Sequence, residues 1–370
     1  MRRLLPAFAL LLPLLALLSA AWLLWQRPQA PQRAEYLVFG STTTVELRGV
    51  DAARAAPVLA QIGSLLQQDQ REWHPWEISD LMRLNAALAQ GGSYRAPPGL
   101  AGLIRRSQEA YHSSGGLFDP ALGALIDLWG YHTSSYPIVA PAPDPAQVRA
   151  LLAQRPGMDD IVIADDGTVS TRKRGIALDL NGLAEGYSAE QIAALLREHG
   201  IGDALINVGG DVLALGSADG RPWRVGIESP EHGVLAALEL TGREALFSSG
   251  DYNRYREVAG QRWAHILDPR TGQPVHGVAA ASVIHADAVV ADVAATALMI
   301  AGPNEMVRVT RGLGVRCALL LTDAGDLYVT PAMQQRLRFP DPPQKLHLTE
   351  SLGANCTAPS AAGPLPATHP

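Results

Sequence analysis

Residues 291–296, with the sequence ADVAAT, combine a carboxylate and a hydroxyl group in a segment typical of a helix. Asp292 and Thr296 are four residues apart, so their side chains project from the same face of a helix. Hard oxygen ligands of this kind suit Mg²⁺, which keeps positions open for phosphate oxygens and water. Spacing alone leaves a structural alternative, in which Asp292 starts the helix and Thr296 packs in the core.

A second polar segment, residues 178–187 with the sequence LDLNGLAEGY, leads directly into an amphipathic helix. Backbone N–H groups at the start of a helix attract anions, and a carboxylate beside them can meet a metal bound to the same anion. The segment therefore predicts a phosphate-binding turn. An ordinary capped loop is the alternative for this segment considered by itself.

Two further segments carry side chains suited to ligand binding. Residues 265–274, HILDPRTGQP, have the composition of a tight turn after a strand, whose end presents backbone groups and His265 to a ligand. In residues 114–120, SGGLFDP, the glycines permit a close approach of the backbone to a ligand, and Phe118 or Trp129 can border an aromatic ring. A plain turn, and a helix cap with core aromatics, are the structural alternatives.

The elements that must position these segments are a mixture of helices and strands. Apolar residues recur with helical spacing in residues 50–70, 98–112, 186–199 and 288–301. Short β-rich runs separated by glycine and proline fill residues 201–283. Because this order is not a regular βαβα alternation, we expect an α+β fold with a mixed or antiparallel sheet and packed helices. Residues 35–339 form the predicted single domain.

Composition and charge exclude some classes of protein. A chain of 370 residues with 47% hydrophobic content can bury a sizeable core. The formal charge of -6, the isoelectric point near 5.9 and the lack of a basic block argue against a protein that neutralises many nucleic-acid phosphates. We expect a small ligand or a protein partner instead, and no nucleic acid.

The first 25 residues have the pattern of an export signal, in which two arginines precede an apolar run at residues 4–25. The run is long enough to span a bilayer, which favours a retained anchor, and cleavage after Ala21 is the alternative. Positive residues before the run direct the rest of the chain out of the cytoplasm. Residues 26–34 are predicted to be a spacer and residues 340–370 a disordered tail.

The two cysteines, Cys317 and Cys356, are predicted to be a buried thiol and an unpaired thiol in the tail. Small domains held by disulfides carry many more cysteines, so a disulfide is the less favoured alternative. Two cysteines do not provide a metal site.

In this order along the chain, the four polar segments resemble the ApbE family of FAD:protein FMN transferases. Four further matching pieces lie before and among them, namely GST at residues 40–42, SDLMRLN at 79–85, NVGGD at 207–211 and SSGDY at 248–252. Each piece alone is a weak signal. Eight pieces in colinear order make a specific match over about residues 38–320.

The resemblance implies that FAD binds with its diphosphate on Mg²⁺. The implied metal ligands are the side chains of Asp292 and Thr296 and the backbone carbonyl of Gly182. Asp179 and Glu185 correspond to positions that bind the flavin nucleotide. The other implied cofactor-binding residues are Phe39, Leu117, Phe118, Asp119, His265 and Ile266.

Two positions depart from the family pattern. Phe39 stands where many members have Met. The usual aromatic residue before the helix near residue 79 has three candidates here, which are Trp73, His74 and Trp76. The contacts of the isoalloxazine ring therefore stay open.

The implied reaction is attack by a threonine or serine hydroxyl of an acceptor protein on the FMN phosphorus of FAD, with AMP as the leaving group. Asp292 is the implied catalytic residue, and His265 or Asp268 is the candidate base for the hydroxyl proton. Family analogy points to a membrane redox subunit as the acceptor, met at the periplasmic side of a bacterial inner membrane. The alternatives are an FAD pyrophosphatase, a non-catalytic flavin-binding protein, and a member that has lost activity.

Overall fold

The computed structural model describes residues 30–154, 157–231, 233–258 and 260–357. The predicted signal or anchor at residues 1–25 lies outside these residues. Among the helices described, none has both the length and the hydropathy needed to cross a membrane.

A large sheet organises the fold. In chain order the strands are β1 (Gln32–Val38), β2 (Ser41–Leu47), β3 (Ser93–Arg95), β4 (Ile161–Ile163), β5 (Thr168–Thr171), β6 (Ala204–Val208), β7 (Asp211–Leu215), β8 (Trp223–Glu228), β9 (Val234–Leu240), β10 (Glu244–Gly250), β11 (Tyr255–Val258), β12 (Gln261–Ala264), β13 (Leu267–Asp268), β14 (Gln273–Pro274), β15 (Val278–His285), β16 (Cys317–Thr322), β17 (Asp326–Val329) and β18 (Lys345–Leu348). Within the described residues, nine of them form one sheet in the order β1-β2-β6-β7-β10-β15-β16-β17-β18. Its pairs are antiparallel except β17 with β18, which are parallel. The predicted α+β fold with a mixed sheet is confirmed.

The helices are α1 (Ala52–Trp73), α2 (Asp80–Ala89), α3 (Pro98–Ser113), α4 (Gly123–Leu128), α5 (Pro145–Gln154), α6 (Asn181–Glu198), α7 (Ala288–Gly312) and α8 (Pro331–Arg336). Side-chain caps explain where two of them begin. Asp51 accepts the N–H of Arg54 at 2.8 Å, and Ser79 accepts the N–H of Met82 at 3.1 Å. The four helices expected from apolar spacing correspond to α1, α3, α6 and α7.

Helix α7 contains a break that the sequence marks. Gly302 has φ 66° and ψ -177°, and Pro303 follows it. A positive φ favours glycine, and proline donates no N–H to a preceding turn. The apolar spacing stops at residue 301 for this reason, although the helix resumes and ends at Gly312. Asp292 and Thr296 both lie before the break, on one uninterrupted helical segment.

The two faces of the large sheet are covered differently. Helices α1, α3, α6 and α7 pack on one face, called here the helix face, over side chains such as Val45 and Ile206. The β8–β9 hairpin, α8 and part of the C-terminal region cover the other, called here the hairpin face, over side chains such as Leu319. Neighbouring residues of a strand point to opposite faces, so Leu246 and Phe247 of β10 belong to different cores.

The C-terminal region corrects two predictions. Residues 340–357 are not a disordered tail, because β18 pairs with β17 and Cys356 forms a disulfide with Cys317. The prediction of two free thiols is wrong for the same reason. Because β18 runs parallel to β17, the chain that follows β18 comes back to the start of β16, where Cys317 lies. The separation of 39 residues between the two cysteines does not reveal this return.

The predicted spacer at residues 26–34 includes residues that belong to the first strand. Strand β1 begins at Gln32 and pairs with β2 over its whole length. The first residues of β1, Gln32, Arg33 and Ala34, carry no apolar signal, so their strand conformation comes from backbone pairing with Val45, Glu46 and Leu47.

Candidate functional site

A cavity of about 400 Å³ is lined by the ends of β7 and β10, the first turn of α6 and the first half of α7. Ten residues singled out from the sequence line it, namely Leu117, Phe118, Asp119, Asp179, Gly182, Glu185, His265, Ile266, Asp292 and Thr296. The separate polar segments therefore meet at one place. Phe39 and Asp268 are not in the lining of this cavity.

Three carboxylates in the cavity, those of Glu185, Asp211 and Asp292, form what is called here the acidic centre. Asp292 is buried, and its Oδ2 accepts the N–H of Gly186 at 3.0 Å. Asp211 Oδ1 accepts the N–H of Ser248 at 2.7 Å, and its carboxyl group is hydrogen-bonded to that of Glu185. The sequence analysis quoted Asp211 only as part of a matching piece and gave it no role.

The electrostatics of the acidic centre favour a bound cation. Burial raises the pKa of Asp292, and the charge of Glu185 raises it further. The pKa of Asp211 is raised by burial and by both other carboxylates. Burial also raises the pKa of Glu185, and the guanidinium of Arg254 opposes that rise. A divalent cation among these groups would offset their mutual repulsion.

The predicted metal ligands lie in this part of the cavity. Thr296 Oγ1 is 3.1 Å from the hydroxyl of Ser249, and Gly182 belongs to the first turn of α6. Among the residues described, no three His, Cys, Asp or Glu side chains are grouped as a complete metal site. One carboxylate, one hydroxyl and one backbone carbonyl still fit Mg²⁺, because proteins usually hold that ion with one or two carboxylates, water and substrate phosphates.

The start of α6 is shaped for an anion. Asp179 Oδ1 accepts the N–H of Asn181 at 2.9 Å, and the backbone N–H of Asp179 donates to the carbonyl of Pro120 at 2.8 Å. A Cβ atom at Gly182 would lie 2.8 Å from Cε2 of Phe118, so glycine is needed for this ring to pack against the helix start. The first N–H groups of a helix lack partners within the helix and attract phosphate.

Helices α6 and α7 approach each other closely at Gly186. A Cβ atom there would lie 2.7 Å from the carbonyl oxygen of Ala288. The close approach brings the N–H of Gly186 within hydrogen-bonding distance of Asp292. The acidic centre is therefore held by backbone contacts between two helices.

Aromatic side chains form one wall of the cavity, which contains Trp76, Phe118, Tyr131 and Tyr136. Ser114 Oγ accepts the N–H of Phe118 at 3.1 Å and fixes the glycine-containing turn before it. Rings of this kind can stack on a flat heterocycle. The aromatic wall and the acidic centre therefore line the same cavity.

The sequence model of the ApbE family matches residues 39–319. The chain belongs to the ApbE family.

Two curated sequences show how similar the chain is to other family members. An FAD:protein FMN transferase of Rhodobacter capsulatus is 40% identical over 320 residues, which cover 85% of this chain and 61% of that protein. An FAD:protein FMN transferase of Klebsiella pneumoniae (strain 342) is 31% identical over 309 residues, which cover 80% of this chain and 87% of that protein. The chain thus spans less than two thirds of the Rhodobacter capsulatus relative.

Solved structures of the ApbE family have the same fold. The apo form of Pseudomonas stutzeri flavinyl transferase ApbE gives a TM-score of 0.73 at 28% identity, over 84% of this chain and 98% of that chain. The ApbE protein of Thermotoga maritima gives a TM-score of 0.75 at 24% identity, over 84% of this chain and 100% of that chain. At that lower identity the likeness concerns the fold alone.

ApbE proteins usually have an aromatic residue before the helix near residue 79. The three candidates for it in this chain occupy different places. Trp76 lines both the main cavity and a smaller cavity beside it, whereas His74 lines only the smaller one. Trp73 is buried and stacks on Phe39, with ring centroids 6.0 Å apart. Phe39 has a φ of 53°, which is unusual for a residue with a side chain, and it also lines the smaller cavity. Its predicted contact with the flavin stays a prediction.

Trp129, which the sequence offered as a border for an aromatic ring, belongs to a separate small core instead. It is buried, and its Nε1 donates to the carbonyl of Gly272 at 2.9 Å. The structural alternative is therefore correct for Trp129.

The two candidate bases are in different surroundings. His265 lines the cavity, and its Nδ1 lies 3.1 Å from the carbonyl oxygen of Arg254. Burial and the nearby Arg254 charge lower the pKa of His265 to about 4, so its ring is neutral at pH 7. Asp268 lies outside the cavity lining, and its carboxylate pairs with Arg270 at 2.9 Å. This geometry favours His265 over Asp268.

His132 contacts two residues of the cavity lining, and no sequence pattern indicated it. Its Nε2 lies 3.0 Å from Asp179 Oδ2 and its Nδ1 lies 3.3 Å from Asp127 Oδ1, while the ring stacks on Trp76 at 5.8 Å. Burial lowers the pKa of His132, but hydrogen bonds and charges of the two aspartates outweigh this and leave it raised. His132 thus joins Asp179, a predicted nucleotide-binding residue, to the aromatic wall.

Proposed function

We propose that this chain is an FAD:protein FMN transferase, which moves the FMN part of FAD onto a threonine or serine hydroxyl of an acceptor protein. The convergence of the acidic centre, the anion-binding start of α6 and the aromatic wall on one cavity carries the proposal. A flavin dinucleotide needs all three, since its rings stack, its diphosphate binds N–H groups and its charge requires a cation. The names of the similar relatives support the same activity.

In the proposed reaction, the acceptor hydroxyl oxygen forms a bond to the FMN phosphorus. The bond from that phosphorus to the bridging diphosphate oxygen breaks, AMP leaves with the electron pair, and the hydroxyl proton passes to a base. His265 suits that role because Nδ1 faces a carbonyl oxygen, which leaves Nε2 as the proton acceptor. The chain contributes mainly by positioning the two substrates, as phosphoryl transfer requires.

Asp292, Thr296 and the carbonyl of Gly182 would hold Mg²⁺, which when bound supplies positive charge to the phosphate oxygens. Asp292 is fixed for this role by the N–H of Gly186, and Thr296 by the hydroxyl of Ser249. Glu185 and Asp211 add negative charge around the same point, which strengthens the attraction for a cation.

A location outside the cytoplasm is part of the proposal, with the N-terminal segment at the inner membrane and the domain on the periplasmic side. The Cys317–Cys356 disulfide supports it, because disulfides persist in oxidising compartments. An acceptor on the same membrane, such as a redox subunit, would be met at a raised effective concentration.

Incubation of the exported domain with FAD, Mg²⁺ and a candidate acceptor domain tests the proposed activity. We expect the acceptor to gain the mass of one FMN and AMP to appear in equal amount. Replacement of the acceptor's modified threonine or serine by alanine, or removal of Mg²⁺ with a chelator, should abolish both products.

Two outcomes would contradict the proposal. AMP and free FMN without a labelled acceptor, across several acceptors, would mean that water replaces the hydroxyl and that the chain is an FAD pyrophosphatase. Bound FAD that survives unchanged in the presence of Mg²⁺ and acceptors would mean a flavin-binding protein without catalysis.

A further inference from the structure

The cavity reaches both faces of the large sheet. On β10, Ser249 faces the helix side, where its hydroxyl meets Thr296. The preceding Ser248 and Leu246 point to the hairpin face, and both also line the cavity. The cavity therefore bends around the end of β10, from the acidic centre towards the β8–β9 hairpin.

Strand β8 contributes Gly226 and Glu228 to the lining on the hairpin side. Both are exposed, whereas Trp223 and Ile227 of the same strand pack into the core of the hairpin face. The FAD-binding features described above, in contrast, come from α6, α7 and the aromatic wall. The hairpin side of the cavity is thus a separate approach to the acidic centre.

Strand β8 also has an unpaired edge. In the part of the chain that the structure describes, β8 pairs only with β9. The other edge of β9 is occupied, because Ala237 exchanges two backbone hydrogen bonds of 2.8 Å with Arg338. An open strand edge presents backbone N–H and C=O groups that an extended peptide can pair with.

The side chains next to this edge leave room for a partner. Gly226 has no side chain, and a Cβ atom there would make only ordinary contacts, at 3.5 Å from Val234. Val234 on the adjacent strand is 54% exposed, an apolar surface without cover beside the cavity. A small residue flanked by an exposed apolar one suits the passage of a polypeptide segment.

We propose that the acceptor protein binds here, with its hydroxyl-bearing segment extended along the open edge of β8 and passing over Gly226 into the cavity. This inference rests on the proposed function. In phosphoryl transfer the attacking and leaving oxygens lie roughly in line on opposite sides of the phosphorus. In-line attack from the hairpin side requires AMP to leave towards the α6 side.

The occupant of this surface is an extended segment of the acceptor that carries its threonine or serine. Backbone pairing along an edge provides affinity without selecting side chains. Folded helical segments would not pair with the edge.

Substitution of Gly226 by valine tests the proposal. The side chain would occupy the passage, so we expect the KM for the acceptor to rise about tenfold or more, with the affinity for FAD unchanged within twofold. Gly226 does not have a positive φ, so the change does not strain the backbone. Gly226→Ala should give a smaller rise and serves as a second variant if Gly226→Val folds poorly.

Arg224→Val is the matched control, since Arg224 is exposed two residues earlier on the same side of β8 and lies outside the cavity lining. The proposal is overturned if Gly226→Val and Gly226→Ala keep the wild-type KM for the acceptor, or if Arg224→Val raises it equally. Labelling by the unsubstituted chain is measured in the same assay, and its absence would contradict the proposed function instead.

Discussion

The two faces of the large sheet differ in how their carboxylates are partnered. The helix face brings three carboxylates together in the cavity, where desolvation is the main cause of the raised pKa of each. The hairpin face buries one carboxylate, Glu244, and pairs it fully with Arg336 through two hydrogen bonds of 2.9 and 2.8 Å. Carboxylates that repel one another are typical of a ligand site, whereas a carboxylate paired with an arginine is typical of structure.

This contrast predicts that changes on the helix face act on activity and changes on the hairpin core act on stability. Three experiments test this separation of effects on activity from effects on stability.

The largest expected effect is on activity. Asp292→Ala should lower flavin transfer by about 10³-fold, on the order of 4 kcal/mol in the barrier, because the proposed Mg²⁺ site loses its carboxylate ligand. Asp292→Asn should lose a similar amount while keeping an oxygen for the N–H of Gly186. Transfer rate and unfolding temperature are measured together, with Asp165→Ala in an exposed turn as the control. Full activity of Asp292→Ala with Mg²⁺ present would refute the metal assignment.

The next effect is on stability. Cys356→Ala removes the disulfide that closes a loop of 39 residues, and we expect the free energy of unfolding to fall by about 2–4 kcal/mol. The folded variant should bind FAD as the parent does, because no cavity-lining residue lies between Cys317 and Cys356. Denaturant titration with and without a reductant measures the change. An unchanged midpoint in the reduced parent would show that the hairpin core is stable without the covalent link.

The smallest effect concerns His132, which contacts Asp179, a predicted nucleotide-binding residue. His132→Gln removes an imidazolium that offsets Asp127 and Asp179, so the affinity for anionic FAD should fall about tenfold near pH 6. The pKa of His132 is raised in the folded protein, so its charge is complete below its ordinary value and is lost as the pH rises through the raised value. The difference between parent and variant should therefore shrink at pH 9.

FAD titration by flavin fluorescence at both pH values measures this dependence. His112→Gln is the control, because His112 is exposed, does not line the cavity and pairs with Asp159, at 3.5 Å. An equal affinity ratio at pH 6 and pH 9 would mean that His132 acts through packing on Trp76 and not through charge.

The polar segments and their common site were predictable because each has a local reason for its conformation. Helix spacing places Asp292 beside Thr296, and the glycine at residue 182 marks the anion-binding turn. The role of Asp211 was not predictable, since it depends on β7 beginning beside α6 and α7. His132 was missed because it has no motif and gains its partners only when α4 and the start of α6 meet.

The class of the fold was predictable from the sequence. Some of its details were not, for physical reasons. Residues 32–34 lack apolar side chains, so only pairing with β2 makes them a strand. The disulfide depends on a parallel return of β18, which no local pattern encodes. Asp268 looked like a base from its turn, but Arg270 two residues later occupies its carboxylate.

The disulfide also determines how the molecule carries mechanical load. Strand β18 is at the edge of the large sheet, but Cys356 is bonded to Cys317 at the start of β16, two strands further in. A protease that cuts one bond between these cysteines leaves both pieces attached. A pull on the C-terminal end of the chain is transmitted to an interior strand, so it must shear several ladders of hydrogen bonds at once instead of peeling the edge strand away.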